Sequence, residues 1–144
     1  MFIRPKKSLG QNFLTDRYVL EQIVNTVEVT NKEVLEIGPG SGNLTTFILK
    51  KNPKKVYTIE KDDELSLLLK DKFSDEITII NDDVLRISED KISKEKLTVF
   101  GNLPYNISTE ILSKWIVNID KNFWFENLVL MFQKEVADRI ISEF

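Results

Sequence analysis

Val34-Leu35-Glu36-Ile37-Gly38-Pro39-Gly40-Ser41-Gly42-Asn43 runs from a short apolar segment into a glycine-rich turn, and Leu44, Phe47 and Ile48 follow at helical spacing. That order reads as strand, tight turn and helix. Glycine suits such a turn because it takes backbone angles closed to other residues and lets the backbone approach a ligand that a Cβ would obstruct. The same alternation continues outward. Residues 56–59, 77–80, 97–100 and 128–132 are further short runs rich in β-branched and aromatic residues, read as strands buried on both faces. Between them, Leu65, Leu68, Leu69 and Phe73 mark one helix, and Ile111, Leu112, Trp115, Ile116 and Ile119 mark another with Ser108 or Thr109 as its cap. Upstream, Val19, Leu20, Ile23, Val24 and Val27 repeat at helical spacing behind Thr15-Asp16. Residues 88–96 are charged and aperiodic, and read as a surface connection. Strands alternating with helices predict an α/β fold: a doubly wound parallel sheet with right-handed crossovers and helices on both faces.

Ligands of such sheets bind beyond the carboxyl ends of the strands, where the strand order reverses. Those ends carry the glycine turn, Glu60, Asp82-Asp83 and Asn102-Leu103-Pro104-Tyr105. The glycines are spaced G-x-G-x-G, with Asn43 next, which departs from the dinucleotide fingerprint G-x-G-x-x-G and counts against a nicotinamide oxidoreductase. Glu60, twenty-two positions after Gly38, is placed to accept both hydroxyls of a ribose and to repel a 2′-phosphate. The turn at 102–105 suits an aromatic amine, whose lone pair is delocalised into its ring. The Asn102 side-chain oxygen and the carbonyl of Leu103 or Pro104 can accept both amine hydrogens and so favour a pyramidal nitrogen. Pro104 removes a competing N–H and fixes the turn, and Tyr105 offers a face on which a base can stack. Attack of such a nitrogen on a cationic electrophile needs neither a metal nor a strong general base. The plainer readings are an ordinary glycine turn, surface acids at 60 and 82–83, and a proline turn closing a strand.

Composition narrows the class further. A chain of 144 residues, 42% hydrophobic and 10% aromatic, has the makings of one core. No apolar run approaches the ~20 residues that span a bilayer. The opening Met1-Phe2-Ile3-Arg4-Pro5-Lys6-Lys7 has no apolar segment of the secretory kind, so a cytoplasmic protein is expected. The sequence has no cysteine and no histidine, which removes disulfides, zinc–thiolate sites, thiol nucleophiles and the commonest base and metal ligand; no metal is expected. Net charge is −3, but the first 20 residues carry Arg4, Lys6, Lys7 and Arg17 against Asp16 alone, leaving −6 on the remaining 124. A basic leader on an acidic body suggests contact with phosphates, the bland alternative being a solvated tail.

Glu36, Gly38, Gly40 and Gly42 match in full the E-x-G-x-G-x-G motif of S-adenosylmethionine-dependent methyltransferases, which this chain resembles. The resemblance implies a Rossmann-like methyltransferase fold, with the glycine loop against the methionine part of the cofactor and Glu60 on its ribose. It places Asp83 on the adenine amine, and only register separates Asp83 from Asp82. Three further blocks narrow the match. Lys6-Lys7-Ser8-Leu9-Gly10-Gln11-Asn12-Phe13-Leu14 and Gly101-Asn102-Leu103-Pro104-Tyr105-Asn106-Ile107-Ser108-Thr109 resemble segments of the ribosomal RNA adenine dimethyltransferases. Phe132-Gln133-Lys134-Glu135-Val136-Ala137-Asp138-Arg139 is similar to the F-Q-K-E-V-A-x-R of the branch acting on the small subunit. The activity so implied is methyl transfer from S-adenosyl-L-methionine to the 6-amino groups of two adjacent adenosines near the 3′ end of small-subunit rRNA, within the pre-ribosomal small subunit.

Carried over residue by residue, the resemblance implies cofactor contacts at Asn12, Leu14, Glu36, Gly38, Gly40, Gly42, Glu60, Asp82 or Asp83, and Asn102, with Gln11 ordering the leader over the cofactor. Target-base roles fall to Asn102, Leu103, Pro104 and Tyr105, and RNA phosphate contacts to Arg4, Lys6, Lys7 and Arg17. Relatives continue past the fifth strand and its helix into a further strand pair and a helical RNA-binding domain. Residues 1–144 are therefore expected to be an incomplete cofactor-binding domain of a monomeric enzyme, with the fifth strand's edge open to pairing. Two alternatives stand beside this reading. One is a methyltransferase acting on another planar nitrogen, in large-subunit rRNA, DNA or a protein glutamine. The other is a cofactor- and ribosome-binding fragment without turnover.

Overall fold

The computed structural model describes residues 15–142. Its centre is β1 (Glu33–Ile37), every residue of which is buried. Val34 turns into a core with Leu20, Val24, Leu44, Ile48 and Phe100, whereas Leu35 and Ile37 turn into a second core with Val99, Ile111 and Trp115. Successive side chains of a strand point to opposite faces, so a strand covered on both sides carries apolar residues at successive positions, here Val34, Leu35 and Ile37, with Glu36 a buried exception. That is the physical reason the 34–37 segment could be read from sequence.

Four more strands complete a parallel sheet: β2 (Lys55–Ile59), β3 (Thr78–Ile80), β4 (Leu97–Asn102) and β5 (Phe125–Met131). Their order is β3-β2-β1-β4-β5, so the reversal in strand order falls between β1 and β4. Helices α1 (Arg17–Val24), α2 (Asn43–Leu49), α3 (Asp63–Phe73), α4 (Ser108–Val117) and α5 (Lys134–Ser142) connect and cover the strands. Asp16 caps α1 by accepting from the N–H groups of Tyr18 (2.9 Å) and Val19 (3.2 Å), and Asp62 caps α3 by accepting from Leu65 N–H (3.0 Å). Each cap satisfies backbone donors that the first helical turn leaves without partners.

The elements depart from the sequence expectation where burial is one-sided. β5 begins at Phe125, upstream of the apolar run, and takes in the exposed Glu126. It forms an edge of the sheet among the described residues, and from Asn127 onward its side chains are half-buried rather than buried on both faces. The extension follows from pairing: Leu97 N–H donates to the Trp124 carbonyl at 3.0 Å and a bulge at Leu97/Thr98 shifts the register. Ser108 lies inside α4, with Ile107 at the cap position and no side-chain cap bond. Ile116 is 50% exposed and Ile119 lies past the helix end, so the buried face of α4 is Ile111 and Trp115. The 88–96 connection is not wholly a surface one, because it buries Glu89.

Candidate functional site

The tips of β1, β2 and β4 stand side by side, with Ile37 paired to Ile59 on one flank and to Gly101 on the other. The ladder continues one step past them: Gly38 N–H donates to the Ile59 carbonyl (2.9 Å) and Glu60 N–H to the Ile80 carbonyl (3.0 Å). Gly38 therefore sits between Glu60 on the β2 side and Asn102 on the β4 side. Its φ of +63° favours glycine, and a Cβ there would stand 3.4 Å from the Asn102 carbonyl oxygen. The glycine turn after β1 and the Asn102 turn after β4 thus meet backbone to backbone.

Gly40 and Gly42 are needed for other reasons. Gly40 N–H donates to Glu60 Oε2 at 3.3 Å, tying the loop to the tip of β2. Gly42, at φ +85°, starts α2, and a Cβ there would lie 2.5 Å from Phe73 Cε2 and 3.2 Å from Leu69 Cδ2. It lets α2 and α3 approach each other.

Glu60 is 6% exposed and also accepts Asp62 N–H at 3.0 Å. Burial raises its carboxyl above the ordinary carboxylate value, while bonds from the Asp62 and Gly40 N–H groups oppose that rise. A carboxylate offers about four lone-pair sites, so capacity for ribose hydroxyls is left over. Asp83 is anchored: Oδ1 accepts Leu85 N–H (3.0 Å) and Oδ2 accepts Lys61 Nζ (3.2 Å). Partial burial works against its charge, yet these bonds and the Lys61 charge hold its carboxyl below the usual carboxylate value. Asp82 is exposed and accepts Asp83 N–H at 2.7 Å. The two acids that sequence leaves equivalent have different surroundings.

Glu36 lies on the α2 side of β1, 2% exposed, and accepts a 2.5 Å hydrogen bond from Thr45 Oγ1. Burial pushes its carboxyl up to about 8, against the Thr45 bond and with help from the charge of Glu60. It therefore holds a proton at neutral pH. On the β4 side, Asn102 ends the strand half-buried, Leu103 is buried, Pro104 is half-buried and Tyr105 is 45% exposed. The Pro104 carbonyl accepts Ile107 N–H (3.1 Å) and the Tyr105 carbonyl accepts Ser108 Oγ–H (3.4 Å), which seats the turn on the start of α4.

A family model described as ribosomal RNA adenine dimethylase matches residues 3–144. The chain belongs to the ribosomal RNA adenine dimethylase family. This dimethylase-family chain is 75% identical over 144 residues to the "Ribosomal RNA small subunit methyltransferase A" of Pelagibacter ubique (strain HTCC1062), covering 100% of itself and 55% of that relative. It is 46% identical over 140 residues to the protein of the same name from Mesomycoplasma hyopneumoniae (strain 232), covering 96% of itself and 52% of that relative. Among solved structures it resembles the 23S rRNA methyltransferase ErmE, with a TM-score of 0.76 and 29% identity, over 92% of this chain and 52% of that one. A dimethyladenosine transferase from Plasmodium falciparum gives a TM-score of 0.76 and 30% identity, over 90% of this chain and 46% of that one. The dimethylase-family chain spans about half the length of the curated relatives it matches.

Of the residues singled out in the dimethylase-family sequence, the fold brings Gly38, Gly40, Glu60, Asn102 and Leu103 together at the reversal of strand order, with Asp83 at the neighbouring tip of β3. Gln11, Asn12, Leu14, Arg4, Lys6 and Lys7 lie outside the described residues, and Arg17 is exposed as the first residue of α1. No helix among the described residues is long and apolar enough to cross a membrane, and no group of three or more acidic residues there is placed to hold a metal ion. No local sequence pattern marks Thr45, the partner of Glu36, because the contact is made by folding α2 back against β1.

Proposed function

We propose that this chain is the cofactor-binding and catalytic part of an S-adenosyl-L-methionine-dependent rRNA adenine N6-dimethyltransferase. Its substrate is two adjacent adenosines near the 3′ end of small-subunit rRNA, presented by the pre-ribosomal small subunit in the cytoplasm, and the enzyme works as a monomer. The observation that carries this reading is the meeting of Gly38 with the Asn102 backbone at the tips of β1 and β4. A methyl donor held on the glycine loop and an amine held at Asn102 are then neighbours.

S-adenosyl-L-methionine, when bound, supplies a methyl group on a positively charged sulfur. The rest is work for this chain's own residues. Gly38 and Gly40 leave room for the donor's methionine part, and Glu60 accepts from the ribose hydroxyls. Asp83, rather than the exposed Asp82, accepts from the cofactor's adenine amine, because Leu85 N–H and Lys61 already fix its orientation. Asn102 Oδ1 and the Leu103 or Pro104 carbonyl accept the two hydrogens of the target amine and turn its lone pair toward the methyl. Tyr105 stacks on the target base. The amine proton leaves to water after transfer, which agrees with a sequence without histidine. Asn12 and Leu14 contact the cofactor, Gln11 orders the leader over it, and Arg4, Lys6, Lys7 and Arg17 contact RNA phosphates.

The test is transfer of tritiated methyl by the protein in its full natural length to undermethylated small ribosomal subunits, with naked rRNA, large subunits, DNA and a glutamine-bearing protein alongside. Label confined to small-subunit adenines supports the proposal. Label on another acceptor moves the chain to that substrate, and cofactor binding without transfer makes it a binding module.

A further inference from the structure

Lys114, on α4, sends its ammonium into the connection between β3 and β4. Nζ donates to the Val84 carbonyl (2.7 Å), the Ile87 carbonyl (2.5 Å) and Glu89 Oε1 (2.6 Å). An ammonium has three donors, so all are committed. Glu89 is 4% exposed, and the same Oε1 accepts Trp115 Nε1–H at 2.9 Å from a tryptophan that is 1% exposed. A well-packed apolar pair would fill such space without the cost of desolvating two charges. What the charged pair adds is direction: the ammonium reaches backbone carbonyls at both ends of the short 3-10 turn Val84–Arg86, which an apolar side chain cannot hold.

That turn is the one capped by Asp83, whose carboxylate accepts Leu85 N–H. Helix α4, in turn, carries the Asn102–Tyr105 turn at its start through the Pro104–Ile107 and Tyr105–Ser108 hydrogen bonds. Lys114 therefore joins the tip of β3 to the element that leaves the tip of β4. We infer that Lys114 and Glu89 are positioning residues that lock the Asp83 turn to α4 and so set the cofactor's adenine pocket relative to the target-amine turn. The inference rests on the assignment of Asp83 to the cofactor's adenine made above. Lys114 acts through the Val84 and Ile87 carbonyls, and Glu89 acts through Lys114.

The readout is discrimination between two ligands that differ only at the adenine 6-position. S-adenosylhomocysteine presents an amine to Asp83, whereas its purine-riboside analogue, with hydrogen in place of the 6-amino group, offers the carboxylate no donor at that position. A hydrogen bond to a charged acceptor corresponds to a preference of about tenfold or more. Calorimetry on the full-length protein should show that preference in the wild type. It should fall below about threefold in Lys114→Met. The double variant Lys114→Met with Glu89→Gln removes both charges together, keeps an acceptor for Trp115 Nε1–H, and guards against a single variant that does not fold. Variants that weaken both ligands equally, or keep the wild-type ratio while unfolding cooperatively, would show a structural clamp only and overturn the inference. A wild type that binds both ligands alike would overturn the assignment of Asp83 itself, and one that binds neither would overturn the proposed function.

Discussion

Glu36→Gln should remove a pH dependence that the buried carboxyl imposes on stability. Burial pushes this carboxyl from 4.5 up to about 8, with the Thr45 hydrogen bond opposing the rise and the Glu60 charge adding to it. In the unfolded chain the group titrates near its ordinary value. Between the two values the native state keeps a proton that the unfolded state has released, so stability falls as pH rises. The contribution of the neutral carboxyl is whole below about 4.5 and is lost once pH has passed about 8. At ~1.4 kcal/mol per pH unit the interval sets a ceiling of roughly 5 kcal/mol. Relaxation and water entry around a buried charge reduce such figures severalfold, so a swing of about 2 kcal/mol is expected. Glutamine keeps the acceptor for Thr45 Oγ1–H and carries no charge. Urea unfolding of both chains at intervals from about pH 5 to pH 9 measures the effect. The variant should be close to wild type at the acid end and about 2 kcal/mol more stable at the alkaline end. Glu60, whose carboxyl is also raised, is present in both chains and largely cancels in the difference. A difference that stays flat across the range would refute the argument.

Gly42→Ala should cost about 2–4 kcal/mol in the same unfolding assay, from a left-handed backbone and a methyl driven into the buried Phe73 ring, whereas Gly38→Ala, facing only the Asn102 carbonyl at 3.4 Å, should cost less. Loss of both by equal amounts would mean that the contact with α3 is not limiting. Glu60→Ala should weaken S-adenosylhomocysteine by ~1.5–3 kcal/mol per ribose hydrogen bond, read by calorimetry, and unchanged affinity would remove Glu60 from the site. In the full-length enzyme, Asn102→Ala should depress the methylation rate more than cofactor affinity. Tyr105→Ala should lose ~1–3 kcal/mol of stacking while Tyr105→Phe is tolerated, so equal losses in the two tyrosine variants would implicate the hydroxyl instead. Neutralising Arg4, Lys6, Lys7 and Arg17 should flatten the salt dependence of RNA binding by ~0.7–0.9 in log–log slope per phosphate contact, and an unchanged slope would leave them a solvated tail.

Much of the site was readable because its residues sit at strand ends, where a short motif and a turn coincide. Glu36-x-Gly38-x-Gly40-x-Gly42 and Asn102-Leu103-Pro104-Tyr105 each lie within one local segment, and the sheet rule puts both at the same end. The motif did not separate the jobs of its members. Gly38 answers to Asn102, Gly40 to Glu60 and Gly42 to Phe73, three partners on three elements. Glu89 shows the opposite failure. Nothing in a charged run distinguishes the one acid that Lys114 and Trp115 bury. The apolar run locates the fifth strand, yet the strand starts at Phe125 because strand pairing, not hydropathy, selects the first bonded residue.

Sequence alone determined the α/β alternation, the glycine turn, the basic leader and the family, since each is a matter of local periodicity, spacing or residue identity. Tertiary structure decided the rest. It set the strand order that puts β1 beside β4, the anchored state of Asp83 against the exposed Asp82, and the proton on Glu36. Those depend on which distant segments are brought into contact and on how much water is excluded there, and desolvation is a property of the assembled core that no single segment carries.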